Sequence, residues 1–95
     1  MIKIVICEDE KEQQELLKLY ISKIFDGLSI EYELKIFNSG EELLKGYSKA
    51  TDIILLDIQM GKINGMNTAR KIRELDKKVE IIFITSLIEY VLEGY

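Results

Sequence analysis

The sequence predicts an α/β domain built on a parallel sheet with helices on both faces. Short apolar segments alternate with longer segments of helical periodicity along the whole chain. Two of the apolar segments, residues 53–56 and 81–84, are rich in branched side chains and carry no charge, which is typical of strands buried on both faces. Because strands that alternate with helices are joined by right-handed crossovers, the order βαβαβαβα indicates parallel strands.

The first three elements follow from local pattern. Residues 2–7 form a strand that is apolar except for Lys3. Residues 10–25 form a helix that ends at Asp26-Gly27. Residues 30–37 alternate apolar and charged side chains, so they predict a half-exposed edge strand. The predicted apolar face of the helix consists of Leu17, Tyr20, Ile21, Ile24 and Phe25.

The remaining elements repeat this alternation. Ser39 and Glu42 form a capping-box pattern before the second helix. A buried strand over 52–56 leads through a loop into a third helix, and a second fully buried strand covers 80–85. A fourth helix begins at 86. The apolar residues expected to face the core from the third helix are Met66, Ala69, Ile72 and Leu75.

Composition restricts the possible functions of a single small domain. The 95 residues are 47% hydrophobic and 32% charged, as in globular proteins, and the net charge of −4 argues against a grip on nucleic-acid phosphates. No apolar stretch approaches the roughly 20 residues of a membrane span. Cys7 is the single cysteine and histidine is absent, so a disulfide framework and a zinc site are disfavoured. We expect a cytoplasmic protein whose chemistry uses carboxylates, hydroxyls or a metal ion.

Polar side chains stand at the carboxyl ends of three predicted strands. Glu8 and Asp9 follow the first strand, Asp57 follows the third, and Thr85 ends the fourth. Parallel strands align these ends at one edge of the sheet, which is where open α/β sheets bind ligands. Three converging carboxylates repel one another, and Mg²⁺ would remove that cost. A carboxylate beside Mg²⁺ can also attack phosphorus, so Asp57 is a candidate nucleophile.

Each of these residues has a structural alternative. Glu8 and Asp9 could cap the first helix, with Glu12 three residues after Asp9. Asp57 could be an ordinary polar residue at a strand end, and Thr85 is a good strand residue. The four together are more specific for a site than any one of them.

The motifs "VICEDE", "LLDIQMGKINGM" and "IIFITS", in this order and spacing, resemble the receiver domain of two-component response regulators. The resemblance covers the whole chain. It implies a flavodoxin-like (CheY-like) parallel sheet in the order 2-1-3-4. The stretches "ICEDE", "NSGEELL" and "ITSLIEYVLEGY" look most like receivers of the LytTR class, which usually precede a DNA-binding domain.

The resemblance also implies roles for the polar residues. Asp57 would be the phosphoacceptor, phosphorylated by a sensor histidine kinase. Asp9 would bind Mg²⁺ directly, Glu8 through water, and Gln59 through its backbone carbonyl. Thr85 would be the switch hydroxyl. The chain would then be a signalling phosphoacceptor rather than an enzyme, since it promotes only its own phosphorylation and dephosphorylation.

Two departures from the family pattern affect this interpretation. Gly65 matches the glycine that opens the third helix, but Gly61 stands where many receivers have proline. The family's fifth strand and helix, with a phosphate-contacting lysine and an aromatic switch residue, have no counterpart, and no lysine follows Lys78. We therefore expect residues 1–95 to be a C-terminally truncated receiver domain that precedes a DNA-binding effector domain in the parent protein.

A truncated receiver domain also implies particular binding partners. Contact with DNA would occur only through the absent domain, and no membrane is involved. The output domain of the same chain would be one partner and the kinase another. Residues 80–85 would become an edge strand whose residues 81–84 carry no charge, which favours a homodimer or an edge-strand oligomer.

Other protein classes fit less well. A P-loop hydrolase needs a glycine-rich loop ending in Lys-Ser or Lys-Thr, and a haloacid-dehalogenase-type phosphatase needs a second aspartate where Gln59 stands. A flavin-binding module would need a phosphate-binding loop in place of the acidic "CEDEKE". The remaining alternative is a pseudo-receiver, an interaction module that never carries phosphate. The presence of Glu8, Asp9, Asp57 and Thr85 argues against a pseudo-receiver for the parent protein, and the missing lysine argues for it in this chain.

Overall fold

A computed structural model of the protein describes residues 1–59 and 64–84. Helices and strands alternate along these residues, as the pattern predicted. In chain order they are β1 (Ile2–Cys7), α1 (Lys11–Gly27), β2 (Tyr32–Phe37), α2 (Gly40–Gly46), β3 (Ile53–Asp57), α3 (Gly65–Leu75) and β4 (Glu80–Ile84). The predictions for Gly61, for Thr85 and for a fourth helix after 85 lie outside the described residues.

The four strands form one parallel sheet in the order β2-β1-β3-β4. Ile6 of the central strand β1 pairs with Ile36 on one side and Leu55 on the other. The edge position of β2 is confirmed, and its side chains alternate between half-buried and exposed up to Ile36. The flavodoxin-like sheet in the order 2-1-3-4 is therefore confirmed for the described residues.

The core has two layers because successive side chains of a strand point to opposite faces. On one face Ile4 and Ile6 pack with Ile21 of α1. On the other face Val5 and Cys7 belong to a larger cluster with side chains from β3, α2 and α3. The other buried members of that cluster are Leu43, Ile54, Leu56, Ala69, Ile72 and, just before β4, Val79.

The predicted buried face of α1 is partly wrong. Ile21 is buried and Leu17 and Phe25 pack against it, but Tyr20 and Ile24 are 52% and 57% exposed. The buried stripe instead runs through Gln14 and Ile21, seven residues apart on one side of the helix. Apolar residues occupy so much of the circumference of α1 that periodicity alone does not select the side that faces the sheet.

The end of α1 agrees with the prediction that Asp26-Gly27 ends the helix. The helix continues through Gly27, and Ser29 adopts the left-handed conformation with φ of 56°. The N–H of Ser29 donates to the carbonyl of Asp26 at 3.1 Å, and the N–H of Ile30 donates to that of Phe25 at 3.0 Å. These two bonds make a Schellman motif in which serine takes the position that usually belongs to glycine.

Side chains cap the next two helices. Ser39 Oγ accepts a hydrogen bond from the N–H of Glu42 at 3.1 Å, as the capping-box pattern predicted. The returning bond to Glu42 Oε2 comes from the N–H of Asn38, one residue before the cap. Asn64 Oδ1 caps α3 by accepting from the N–H of Asn67 at 2.9 Å.

The buried side of α3 is shifted from the prediction. Ala69 and Ile72 are buried as expected, whereas Met66 and Leu75 at the helix ends are exposed. Thr68 is fully buried in their place, and its hydroxyl donates to the carbonyl of Asn64 at 3.1 Å. That bond satisfies the hydroxyl inside the core, so a polar residue can occupy the buried stripe.

The expectation that the fourth strand is fully buried is wrong for the described residues of β4. Ile82 is 51% exposed and Phe83 is 41% exposed. Within the described residues β4 lies at the edge of the sheet, beside β3 alone. Among these same residues, no helix has both the length and the apolar character needed to cross a membrane.

Candidate functional site

The ends of β1 and β3 bring three carboxylates together. Cys7 pairs with Leu56 in the parallel ladder, so the next residues along the two strands, Glu8 and Asp57, are neighbours. One carboxylate oxygen from each of Glu8, Asp9 and Asp57 can be chosen so that all three lie within 4.8 Å of one another. Glu8 and Asp57 are only 4% exposed, whereas Asp9 is exposed to solvent. The predicted convergence of these three carboxylates is confirmed.

Backbone hydrogen bonds fix two of the carboxylates. Asp57 Oδ1 accepts from the N–H of Gln59 at 3.1 Å, and Glu8 Oε2 accepts from the N–H of Glu10 at 3.0 Å. The N-cap of α1 is Glu10, which makes no side-chain capping bond. The alternative in which Asp9 and Glu12 form a capping box is therefore wrong.

The electrostatics of the cluster favour a cation. Burial raises the pKa of Glu8 to about 7, and the nearby Asp57 carboxylate adds to the effect. Burial also raises the pKa of Asp57. Both carboxyl groups therefore ionise less readily than free carboxyl groups while the charge in the site is uncompensated.

The donor set suits a hard ion. Each of the three residues offers a carboxylate oxygen, the ligand that Mg²⁺ takes from proteins, and the exposed Asp9 leaves one side open to water. The thiol of Cys7 does not compete, because burial and the neighbouring carboxylates raise its pKa to about 12 and keep it protonated. The residues present therefore fit Mg²⁺.

Gly65 allows α3 to begin against the end of β3. Its N–H donates to the carbonyl of Ile58 at 2.9 Å. A Cβ atom at this position would overlap the carbonyl oxygen of Asp57 and lie 2.8 Å from the Cα of Ile58. A residue without a Cβ is thus required for the backbone to approach the site so closely, in agreement with the predicted place of this glycine.

The sequence analysis missed two residues beside the cluster, Gln14 and Asn38. Gln14 is only 8% exposed, and its Nε2 donates to the carbonyl of Glu8 at 2.6 Å and to Asn38 Oδ1 at 2.7 Å. Glutamine is common on exposed helix surfaces, so its identity carried no signal. Only the orientation of α1 reveals that its amide faces the acidic loop.

Sequence comparison places the chain among signalling proteins. Residues 4–93 match the family model of the response regulator receiver domain. The chain is 35% identical over 86 residues to the response regulator ArlR of Staphylococcus saprophyticus, covering 90% of this chain and 36% of ArlR. It is 34% identical over 89 residues to the transcriptional regulatory protein MalR of Bacillus subtilis, covering 94% of this chain and 37% of MalR. The chain thus spans little more than a third of these curated relatives.

Solved structures show the same similarity. The response regulator protein TrrA of Thermotoga maritima, in complex with Mg²⁺ and BeF, matches with 31% identity and a TM-score of 0.77, covering 99% of this chain and 77% of that one. The complex of histidine kinase ThkA with TrrA matches with 34% identity and a TM-score of 0.74, covering 90% and 70% of the two chains. From the match over residues 4–93 and these relatives, the chain belongs to the response regulator receiver domain family.

Proposed function

We propose that the protein is a phosphoacceptor receiver domain, in which Asp57 takes a phosphoryl group from the phosphohistidine of a sensor histidine kinase. One observation carries the proposal. Asp57 is the last residue of β3, buried and fixed by the N–H of Gln59, and its carboxylate belongs to the cluster with Glu8 and Asp9. A structural relative, TrrA, forms a complex with a histidine kinase, which supports a kinase as the partner here.

The proposed step is a simple exchange of bonds. A carboxylate oxygen of Asp57 attacks phosphorus, the bond from phosphorus to the histidine nitrogen breaks, and its electron pair returns to the imidazole. The product is an acyl phosphate on Asp57. Bound Mg²⁺ would supply charge neutralisation for the phosphoryl oxygens.

The acidic residues hold the ion in this proposal. Asp9 and Asp57 would bind it directly, Glu8 would bind through water, and Gln59 would contribute its backbone carbonyl. Thr85 serves as the hydroxyl that contacts the phosphoryl group. The domain is a signalling phosphoacceptor and not an enzyme that turns over a separate substrate.

The parent protein in this proposal carries an output domain that binds DNA and regulates transcription. The relatives ArlR and MalR are a response regulator and a transcriptional regulatory protein, which supports this role. Assignment to the LytTR class rests on the sequence motifs "ICEDE", "NSGEELL" and "ITSLIEYVLEGY". A single thiol, fully buried at Cys7, fits a reducing compartment and hence a cytoplasmic location.

Phosphorylation tests the proposal directly. The parent protein, incubated with acetyl phosphate and Mg²⁺, should gain one phosphoryl group that is labile in alkali and absent from Asp57→Asn. Asp52→Asn is the matched control, because Asp52 precedes β3 at the opposite end of the strand and accepts from the N–H of Lys3. Intact-mass spectrometry gives the readout. Phosphate on Ser or Thr would overturn the mechanism, and kinase binding without any phosphoryl gain would identify a pseudo-receiver.

Metal binding provides a second test. Titration with Mg²⁺ should shift the backbone amide resonances of Asp9, Asp57 and Gln59 saturably, because these residues surround the proposed ion. Asp57→Asn should weaken the binding, since it removes one of the negative ligands. Shifts that avoid these residues, or that survive the substitution unchanged, would contradict the site.

A further inference from the structure

We propose that Gln14 is a positioning residue, whose buried side-chain amide sets the geometry of the acidic loop that holds the metal ion. The inference rests on the proposed function, because the geometry matters through Mg²⁺ binding. It concerns contacts outside the carboxylate cluster, between α1 and the two loops that follow β1 and β2.

The amide of Gln14 has one orientation that fits its surroundings. Its nitrogen faces two acceptors, the carbonyl of Glu8 at 2.6 Å and Oδ1 of Asn38 at 2.7 Å. The NH₂ group has two hydrogens, one for each acceptor. A flipped amide would bring its own oxygen against the Glu8 carbonyl, which has no hydrogen to donate.

These contacts fix the peptide unit that joins the two acidic residues. The carbonyl of Glu8 belongs to the peptide bond between Glu8 and Asp9, and it accepts from Gln14. On the other side of the same residue, the N–H of Glu8 donates to the carbonyl of Phe37 at 3.1 Å. Both backbone polar groups of Glu8 are thus hydrogen-bonded. Because the Glu8–Asp9 peptide is planar, its fixed orientation determines the position of Asp9.

We call the two hydrogen bonds from Gln14 to Glu8 and Asn38 the clamp. Its second acceptor, Asn38, is fixed by a hydrogen bond of its own. The N–H of Asn38 donates to Glu42 Oε2 at 3.1 Å, in the cap at the start of α2. Ser39 caps the same helix through the N–H of Glu42. Gln14 therefore connects the acidic loop to a fixed point on the neighbouring loop, and this arrangement resembles the outer hydrogen bonds that orient metal ligands in other proteins.

Replacing Gln14 by methionine tests the inference, because methionine has a similar length but no donor. The Glu8 carbonyl would lose its partner, and the Glu8–Asp9 peptide would become free to rotate. We expect Gln14→Met to weaken Mg²⁺ binding about tenfold, the lower end of the range for removal of such an outer contact. Binding is followed by the amide shifts of Asp9 and Gln59 during Mg²⁺ titration of the 95-residue chain.

A double-mutant cycle separates positioning from a general effect on the fold. Asn38→Ala removes one acceptor and leaves the bond to Glu8, so it should weaken Mg²⁺ binding less than Gln14→Met. The double variant should bind no more weakly than Gln14→Met, since the Asn38 acceptor contributes nothing once the donor is gone. In the wild-type chain, the Gln14 side-chain amide protons should exchange slowly with solvent, and in Asn38→Ala one of them should lose protection.

Two control variants calibrate the measurement. Gln13→Met makes the same substitution one position earlier on α1, and it should leave Mg²⁺ affinity unchanged. Tyr47→Phe removes the hydrogen bond from the Tyr47 hydroxyl to Asp76 Oδ2, 2.6 Å long, which joins the C-terminal ends of α2 and α3. It should lower the unfolding temperature without changing Mg²⁺ affinity, which shows that lost stability alone does not weaken the site.

The outcomes distinguish this inference from the proposed function. If the wild-type chain binds Mg²⁺ and Gln14→Met binds it equally well, the positioning role is overturned while the metal site stands. If the effects of Gln14→Met and Asn38→Ala multiply in the double variant, the two residues act separately and the clamp is overturned. If the wild-type chain shows no saturable Mg²⁺ shift, the proposed function and the inference both fail.

Discussion

At the scale of single residues, Gly65 is sterically constrained. Its backbone lies against the end of β3, where an added Cβ would overlap a backbone oxygen rather than a movable side chain. The neighbouring strand end or the start of α3 must shift to admit any other residue. This contact therefore links the helix to the position of Asp57.

We predict that Gly65→Ala destabilises the protein by about 2 kcal/mol, within the range for overpacking of a close contact. Urea unfolding followed by circular dichroism measures the change. Gly27→Ala is the matched control, because a Cβ at that position meets nothing within 4 Å. Equal stability of Gly65→Ala and the wild type would show that the contact between α3 and β3 yields easily.

Glu8 gives the stability of the metal-free protein a defined pH dependence. Burial raises its pKa from 4.5 to about 7, so the folded state holds a proton more tightly than the unfolded state. The resulting stabilisation is fully present below pH 4.5 and is lost as the pH rises through 7. Burial raises the pKa of Asp57 as well, which acts in the same direction.

We therefore predict that the metal-free chain loses stability between about pH 4.5 and pH 7, and that Mg²⁺ reduces this loss. Glu8→Gln should flatten the profile, because the amide remains neutral throughout the range. Thermal unfolding at a series of pH values, with Glu12→Gln as an exposed control, measures both effects. A wild-type profile that rises with pH would contradict the buried acid.

At the scale of elements, the end of α1 contains two residues in backbone conformations that their residue types disfavour. Gly27 occupies a helical position, and Ser29 occupies the left-handed position that favours glycine. Alanine is the better residue inside a helix, by up to about 1 kcal/mol. Glycine reaches positive φ without the steric cost that serine bears.

Placing alanine at the helical position 27 and glycine at the left-handed position 29 should stabilise the protein. We predict a gain of about 0.5 kcal/mol or more for Gly27→Ala and a similar gain for Ser29→Gly. The gains should add nearly in full, because each relieves a separate backbone cost. Ser29→Ala serves as the control and should show no gain, since alanine retains the Cβ. A loss of stability in Ser29→Gly, measured by urea unfolding, would mean that the Schellman motif does not form.

The elements also show how far sequence patterns determine this fold. The β2 edge and the meeting of Glu8 with Asp57 follow from alternation and parallel alignment, whereas the strand order is implied by the resemblance to receiver domains. The rotation of α1 does not, because seven of its residues are apolar leucine, isoleucine, tyrosine or phenylalanine and they spread around the helix. The bond from Gln14 to Asn38 joins residues 24 positions apart, so no local pattern predicts it.

At the scale of the whole molecule, the two faces of the sheet are covered unequally within the described residues. α2 and α3 pack over the larger cluster, while α1 covers β1 and β2 on the other face. Ile82 of β4 pairs with Leu55 and shares its face, yet it is half exposed. An edge strand that carries no charge after Glu80 and exposes apolar side chains is a template for association.

We predict that the 95-residue chain associates reversibly through β4 at high micromolar concentration. Ile82→Lys should suppress association, because a charge on an edge strand opposes pairing with a second chain. Light scattering over a concentration series measures it. Leu19→Lys, at an exposed apolar site on α1, is the matched control. If only Leu19→Lys suppressed association, the contact between chains would lie on α1 and not on β4. A chain that stays monomeric would contradict the prediction.

The burial of Cys7 has a practical consequence for every variant described above. This thiol is the single one in the chain, is fully buried, and has a pKa raised to about 12 by burial and nearby carboxylates. Alkylating reagents react with the thiolate, so Cys7 reacts with them only after the strand opens and exposes it to solvent. The labelling rate of Cys7 consequently reports the opening of the central strand, and a cysteine introduced on the surface can carry a fluorescent dye without labelling the core.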